Sequence, residues 1–500
     1  MSNIRRQSLI SSGIVYFGFA LGFINTYLFT RENSGFTQSE YGLVGLFVSV
    51  ANIISSFATM GMTAYINKFF PYYKSQLQPS KNDMMWVALL TSMVGFFLVA
   101  GGGWMFKDLV IRKYGTNSPE FVKYYTWVFP LGFGLTIFSL LEAFAWQNYR
   151  SVITNYLREV QFRIITTLLI VLVSVGWLHD FSLLIKIFSF SYLLIALILF
   201  VLLYRAGELR IVPRISTMTR RFKHKIVTLC SFIWGGAIVL TLANMFDGLV
   251  IAAVVPDGLA FAGIYILAQN IASLIQAPQR GIISASIGPL SQAWKDKDLK
   301  QINNIYHRSS INQILFSVMM FVLVWINFDD AIQTFHFQKD YAAAKQVFLF
   351  IGLLRIIDMG TGVNSQIIGT SIFWRFEFTT GVVLMLMTLP MNYMLTKSLG
   401  VTGPAIANLI TFTIYNGIRY TFLWIKFKLQ PFNAKSFYIL LLGFGGFVIC
   451  DYLFSDKTGL GWMVLRSGTF LLFFAPMVLL LKVSPDIMPV WMTVRKRLKL

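Results

Sequence analysis

"LTLANMFDGLVIAAVV", residues 240–255, is an almost unbroken apolar run that holds one carboxylate, Asp247. Extended to residues 226–254, the run is long enough to cross a bilayer, which takes ~20 apolar residues. A charge set in such a run is costly and marks either a partner or a function. The whole chain has the same character. Of its 500 residues, 56% are hydrophobic and only 13% charged, whereas a soluble chain is about a quarter charged. These numbers imply an all-α polytopic membrane protein.

Runs of crossing length recur at roughly 8–29, 42–64, 84–106, 121–145, 162–178, 181–204, 226–254, 259–280, 308–327, 346–370, 377–396, 401–424, 436–454 and 462–481, giving about fourteen spans. The first follows Arg5 and Arg6 but is too long for a signal-peptide core, and no A-x-A-like site follows it. The net charge of +21 would suggest nucleic acid in a soluble protein. Here the basic residues sit in alternate loops: Lys68, Lys74 and Lys81; Arg150 and Arg158; Arg205 to Lys225; Lys295, Lys297, Lys300 and Arg308; Lys426, Lys428 and Lys435; and the tail "VRKRLKL". The positive-inside rule accounts for that pattern without a nucleic acid partner. It places both termini in the cytoplasm. The mixed outer segment 107–123, with Lys107, Arg112, Lys113 and Lys123, is the main exception.

The longest basic loop, 205–225, divides the spans. The expected organisation is an N-terminal six-helix bundle (1–204), a basic cytoplasmic linker (205–225), a C-terminal six-helix bundle (226–424), and two extra helices with a basic tail (425–500). Two equal bundles around a polar linker are the layout of two-lobed alternating-access transporters. Cys230 and Cys450 lie in apolar runs with no CxxC spacing, and His179, His224, His307 and His336 form no cluster, so no metal site is expected.

Three stretches carry a family resemblance. "NMFDGLVIAAVVPDGLAFAGIYILAQNIASL" (244–274) has the span-seven Asp247 and then G-x-Y-x-x-A at Gly263, Tyr265 and Ala268, and "GPLSQAWKDKDLKQINNIY" follows it with Pro289 before a polar amphipathic segment. "SEYGLVGLFVSVANIISSFATMGMTAYINKFFP" and "LGVTGPAIANLITFTIYNGIRYTFLWIKFKLQPF" lie in the two bundles. Together they resemble the polysaccharide (Wzx-type) flippases of the multidrug/oligosaccharidyl-lipid/polysaccharide exporter superfamily. The resemblance implies two bundles around a central cavity in a bacterial inner membrane. It implies movement of a lipid-linked (polyprenyl-pyrophosphate) oligosaccharide to the outer leaflet, coupled to protons or sodium ions and with no other cofactor. Membrane lipids and other polysaccharide-assembly proteins are the expected partners.

Such a substrate is large, polar and anionic, and crossing hydrocarbon unaided would be prohibitive. Arg is the best cation for phosphate because its planar fork binds two oxygens. Arg355, about ten residues or ~15 Å inside span ten, is the leading cavity cation. Arg280, beside Gln276 and Gln279, is the second. Asp358 stands one turn from Arg355 on the same face, and "GTG" at 360–362 is placed to break that helix. Arg163 and Arg419 fall near predicted cytoplasmic helix ends, where snorkelling explains them. Asp247, Asp358 and Glu142 are the candidate coupling or switch carboxylates, with Arg163 or Arg150 as the expected partner of Glu142. Counted from Ile226, Asp247 lies ~32 Å along a straight helix, in the outer third, unless "GG" at 235–236 bends it. Asn25, Asn52, Asn244, Asn270 and Asn364 are the polar cavity candidates, and Asn408 is a further intramembrane amide.

No enzyme signature competes. "NFDDAIQTFHFQ" holds Asp329, Asp330 and His336 and reads as a solvated outer loop, and there is no GxxxxGK[ST] for ATP. The alternatives are an ion-coupled small-molecule exporter or peptidoglycan-precursor flippase of the same layout and, from another class, a membrane transferase of envelope polymer synthesis.

Overall fold

The computed structural model describes residues 2–178, 180–455 and 457–486. The tail "VRKRLKL" and His179 lie outside the described residues, as do the side chains of Arg5, Arg6 and Arg280. The described chain is all-helical and groups into two compact units, 1–263 and 264–500.

The first unit contains α1 (Ser2–Thr30), α2 (Gln38–Ala58), α3 (Met62–Gln76), α4 (Met84–Met105), α5 (Lys107–Tyr114) and α6 (Pro119–Tyr124). It continues with α7 (Val128–Gln147), α8 (Ser151–Asn155), α9 (Phe162–Ser174), α10 (Phe181–Phe188), α11 (Ser191–Arg205) and the long α12 (Thr217–Val254). A π-helical stretch, Tyr156–Gln161, joins α8 to α9. The helix α13 (Gly258–Ser273) carries the chain from the first unit to the second. The second unit then holds α14 (Gln279–Lys295), α15 (Leu299–Thr334), α16 (Ala344–Gly360), α17 (Asn364–Thr370), α18 (Trp374–Leu399), α19 (Gly403–Phe427), α20 (Ala434–Phe454) and α21 (Leu460–Leu480).

Large apolar side chains remain exposed on these helices, including Phe97 and Leu98 on α4, Leu197 on α11, Phe444 on α20 and Leu472 on α21. Hydrocarbon solvates such faces and water does not. Ten described helical stretches are long and apolar enough to cross a membrane, and the bent pair α16–α17 makes an eleventh. The stretch 375–427 holds two of the expected spans, α18 and α19. The expected span at 162–178 is the helix interrupted by the π turn, and that at 259–280 is the short α13. By length and hydropathy the described residues thus hold ten or eleven crossing stretches against the fourteen expected, because α9 and α13 are too short to qualify alone and α18–α19 count as one stretch.

Division by chain order at 205–225 and division by contact at 263 differ because α12 lies along the first unit. Trp234 donates its indole N–H to the carbonyls of Ser56 (3.1 Å) and Phe57 (3.0 Å), where α2 gives way to α3. Gly61 in that break has φ +74°, and a Cβ there would stand 2.4 Å from the Cys230 carbonyl oxygen. Both ends of α12 are held as well. At its start, the buried Asp83 accepts from the Ser216 N–H and the Thr219 hydroxyl, each at 2.7 Å. At its end, Asn117 (2.9 Å) and Ser118 (2.6 Å) donate to the carbonyls of Ala253 and Ala252. Those side chains satisfy carbonyls that a helix C-terminus leaves without intrahelical partners. The pair Gly235–Gly236 does not interrupt α12, which is helical throughout Thr217–Val254.

Candidate functional site

Two helices of the second unit are broken. The chain leaves α13 at Ser273, passes through turns at 274–278 and starts α14 at Gln279. It leaves α16 at Gly360 and restarts as α17 at Asn364, bent by 46°. Gly362 in the second break has φ +62°, which only glycine adopts readily. Breaks within apolar depth free backbone polar groups and are tolerated only where polar partners re-satisfy them.

Side chains from both breaks meet in one network around Asp358. Its Oδ2 accepts from Gln279 Nε2 at 3.1 Å and its Oδ1 from Asn416 Nδ2 at 3.1 Å. The Asn416 carbonyl oxygen accepts from the Thr361 hydroxyl and Asn364 Nδ2, each at 3.2 Å, and Thr361 also donates to the Asp358 backbone carbonyl at 2.8 Å. Thus Asp358 bridges the two breaks. Lying at the C-terminal end of α16, it feels the unfavourable end of that helix dipole. The two amide donors offset this, because hydrogen bonds to a carboxylate are charge-assisted.

A second cluster adjoins the first on α17, α18 and α19. Glu377 accepts from the Ser365 hydroxyl at 2.7 Å and forms an ion pair with Arg419, which also donates to the Tyr415 hydroxyl. The Arg419 guanidinium lies 3.7 Å from the Tyr415 ring centroid. The side chain of Arg419 is only 7% exposed, so the expected snorkelling does not occur: the guanidinium turns inward to Glu377. Sequence reasoning missed Glu377 and Asn416, took Arg419 for an interfacial residue and named Gln279 only as a neighbour of Arg280. A signal existed in "TIYNGIRYTF", where Tyr415, Asn416 and Arg419 fall three and four residues apart on one helix face.

The other expected residues are distributed as follows. Arg355 is half-buried on α16, one turn before Asp358. Arg280 follows Gln279 in the first turn of α14, with its side chain outside the description. Asp247 is buried on α12, seven residues before Val254, or ~10 Å of helix rise from its C-terminal end. Glu142 is buried on α7 and takes Arg158 at 2.8 Å, replacing the expected Arg163 or Arg150. Arg163 instead pairs with Glu159 at 3.2 Å across one helical turn, and Arg150 pairs with Glu208 at 2.7 Å. The π turn that carries Arg158 and Glu159 changes the helical register locally, and such turns are frequent at functional sites.

Of the amides, Asn25 donates to the Arg163 carbonyl at 2.9 Å, and Asn364 joins the Asp358 network. Asn52 (2.8 Å) and Asn244 (2.7 Å) donate to carbonyls one turn back in their own helices, those of Val48 and Leu240. Asn270 lies near the end of α13 and Asn408 is buried on α19. The segment at 327–334 is no solvated loop. It continues α15, and Asp330 is buried, accepting from the Gly459 N–H at 2.7 Å, with Arg466 3.7 Å away. The helix persists there because α21 supplies a cation, and Arg466 also donates to the carbonyls of Ile326 (2.6 Å), Lys457 (2.7 Å) and Phe454 (3.2 Å).

No protein-family profile and no curated protein sequence matches this chain. Solved structures do match in fold. The lipid II flippase MurJ in an inward closed conformation superposes with a TM-score of 0.69 at 14% identity, covering 93% of this chain and 97% of its own. An inward-facing multidrug resistance MATE family transporter of the MOP superfamily gives 0.60 at 15% identity, covering 82% of this chain and 94% of its own. An outward-facing MATE family transporter gives 0.51 at 14% identity, covering 85% and 95%. The chain therefore has the fold of these multi-pass transporters.

Proposed function

We propose that this chain is an alternating-access flippase that carries a polyprenyl-pyrophosphate-linked saccharide from the cytoplasmic to the outer leaflet of a bacterial inner membrane, for surface polysaccharide export. One observation carries the reading: how far along the chain the fold likeness to a lipid-substrate flippase extends. That match leaves about 35 of 500 residues uncovered, fewer than the stretch from Ala434 to Leu480, so it reaches into α20–α21. The multidrug transporter match leaves about 90 uncovered, enough to omit that pair.

In this reading Arg355 and Arg280 supply cations to the pyrophosphate oxygens. The amides around Asp358 suit sugar hydroxyls. Asp358 is also placed to couple transport to an ion. Its carboxylate, the Asn416 carbonyl and the Thr361 hydroxyl are hard oxygen ligands at a helix break, the setting in which transporters bind sodium ions or protons. Protonation or cation binding would loosen the amide contacts from Gln279 and Asn416 and free the two broken helices to move. Asp247 is a second coupling carboxylate and Glu142 a switch with Arg158.

The test is reconstitution in vesicles with a fluorescent polyprenyl-pyrophosphate saccharide, reading its exposure to a membrane-impermeant quencher. The protein should speed transbilayer movement, and Arg355→Ala should slow it while leaving membrane insertion intact. Asp247→Asn and Asp358→Asn should remove the response to a proton or sodium gradient. No acceleration by the wild-type protein would refute the assignment. A second reading, an ion-coupled small-molecule exporter, is favoured by the 0.60 match to a multidrug transporter. It predicts drug efflux, with surface glycan unchanged in a deletion strain. A peptidoglycan-precursor substrate would show as movement of that precursor in preference to other saccharides.

A further inference from the structure

A cavity of about 480 Å³ lies apart from the Asp358 network, between the first part of α15, the start of α20 and the end of α21. Its lining includes Arg308, Lys435, Lys482 and His307, and no carboxylate is among its described lining residues. Val478, Leu479 and Val483 form an apolar wall.

The charge state of this cavity follows from its hydrogen bonds. Asn433 caps α20 by accepting from the Ser436 N–H at 3.2 Å, so its side-chain oxygen is the capping end and its NH2 points away. That NH2 lies 3.0 Å from His307 Nε2, which must therefore accept. His307 Nδ1 lies 2.8 Å from the Pro431 carbonyl, which can only accept, so Nδ1 holds the proton. The cationic side chains of the lining are Arg308, Lys435 and Lys482. Arg308 is balanced from behind by Asp486, which also takes Asn312 at 2.7 Å. Lys435 gives one proton to the Lys482 carbonyl at 2.7 Å and keeps two. That carbonyl lies two residues past the end of α21, and the positive end of α20 begins beside the same space. Among the described residues neither lysine forms an ion pair.

The cavity sits where α20 begins and α21 ends, beside apolar surface at Phe437, Leu480 and Leu481. A group bound there has its charge among lysines and its apolar portion against Val478 and Leu479. We infer that this cavity binds the phosphate of an anionic membrane phospholipid, with Lys435 and Lys482 as the phosphate ligands and the α21 wall as the seat for the first part of the acyl chains. Basic pockets between membrane helices at the headgroup level take such lipids. The inference is independent of which substrate the protein moves.

Native mass spectrometry of the detergent-solubilised full chain tests it, with dioleoyl-phosphatidylglycerol, dioleoyl-phosphatidylcholine and glycerol phosphate as probes. Phosphatidylglycerol should bind about tenfold or more tighter than phosphatidylcholine, since each lysine near an anionic headgroup contributes appreciably. Lys435→Gln with Lys482→Gln should bring the two lipids within about threefold of each other. Lys223→Gln with Lys225→Gln, which removes the same charge from the start of α12, should leave the preference intact. If the paired cavity variant fails to fold, Lys482→Gln alone, at an exposed side chain, should still reduce the preference at least threefold. Equal binding of the two lipids by the wild type, an unchanged preference in the cavity variants, or an equal loss in the α12 control would overturn the inference. Glycerol phosphate binding as tightly as phosphatidylglycerol would overturn the lipid assignment in favour of a soluble phosphate.

Discussion

Replacing Glu377 by Ala should destabilise the second unit far more than a typical loss of surface charge. Glu377 is the ion-pair partner of Arg419, and the two side chains are 23% and 7% exposed. Removing one partner of a buried pair leaves the other charge uncompensated, at a cost of about 3–5 kcal/mol. Ser365 also loses its acceptor, which adds about 1 kcal/mol. Glu377 is partly exposed, so the lower end, about 3 kcal/mol, is the sound expectation. The second unit has about 240 residues. If it melts cooperatively, 1 kcal/mol moves the midpoint by about 2–4 °C at that size, and the variant should melt roughly 6–12 °C lower. The assay is intrinsic-fluorescence melting of purified protein in detergent. The sharper part is a cycle. Glu377→Ala with Arg419→Met removes the stranded cation, so the double variant should be more stable than Glu377→Ala alone. Shifts that simply add, or a Glu377→Ala change under 2 °C, would show that the pair is solvated and that Arg419 snorkels after all.

Three further outcomes follow from the packing. Gly42→Ala should impair folding of the first unit, because its Cβ would stand 1.9 Å from the Leu259 carbonyl oxygen on α13; expression and melting report it, and wild-type behaviour would mean that α2 and α13 separate freely. Arg466→Met should loosen α20–α21 by stranding Asp330 and three carbonyls, seen as faster proteolysis between 455 and 459, with unchanged digestion counting against it. The Asp486 carboxyl is held below its usual range chiefly by the hydrogen bond from Arg308. The pair therefore adds stability that is full at neutral pH and is lost only as pH falls through the lowered value, below 3.8. With Arg308 about half exposed, the effect is under about 1 kcal/mol. The melting difference between wild type and Asp486→Asn should be flat from pH 7 to 5 and shrink below pH 4; a difference that grew on acidification would refute the pairing.

The amino-acid sequence alone determined that this chain crosses a membrane many times as helices, and which loops carry the positive charge. The reason is local: each segment meets the bilayer on its own terms, and the cost of dehydrating a backbone or a charge depends on that segment's composition. The helix break at 360–362 was legible for the same reason, since a glycine pair marks its own backbone. The identities of polar partners were not legible. Gln279 and Asp358 are 79 residues apart, Glu377 and Arg419 are 42 apart, and Asp330 meets Arg466 across α15 and α21. Inside an apolar bundle each of these groups must find a partner, but any of several distant helices could supply it. Only the tertiary structure decides which one does. It turned Arg419 from an interfacial anchor into a buried ion pair, moved Glu142 to Arg158, and made Asp358 the link between two broken helices.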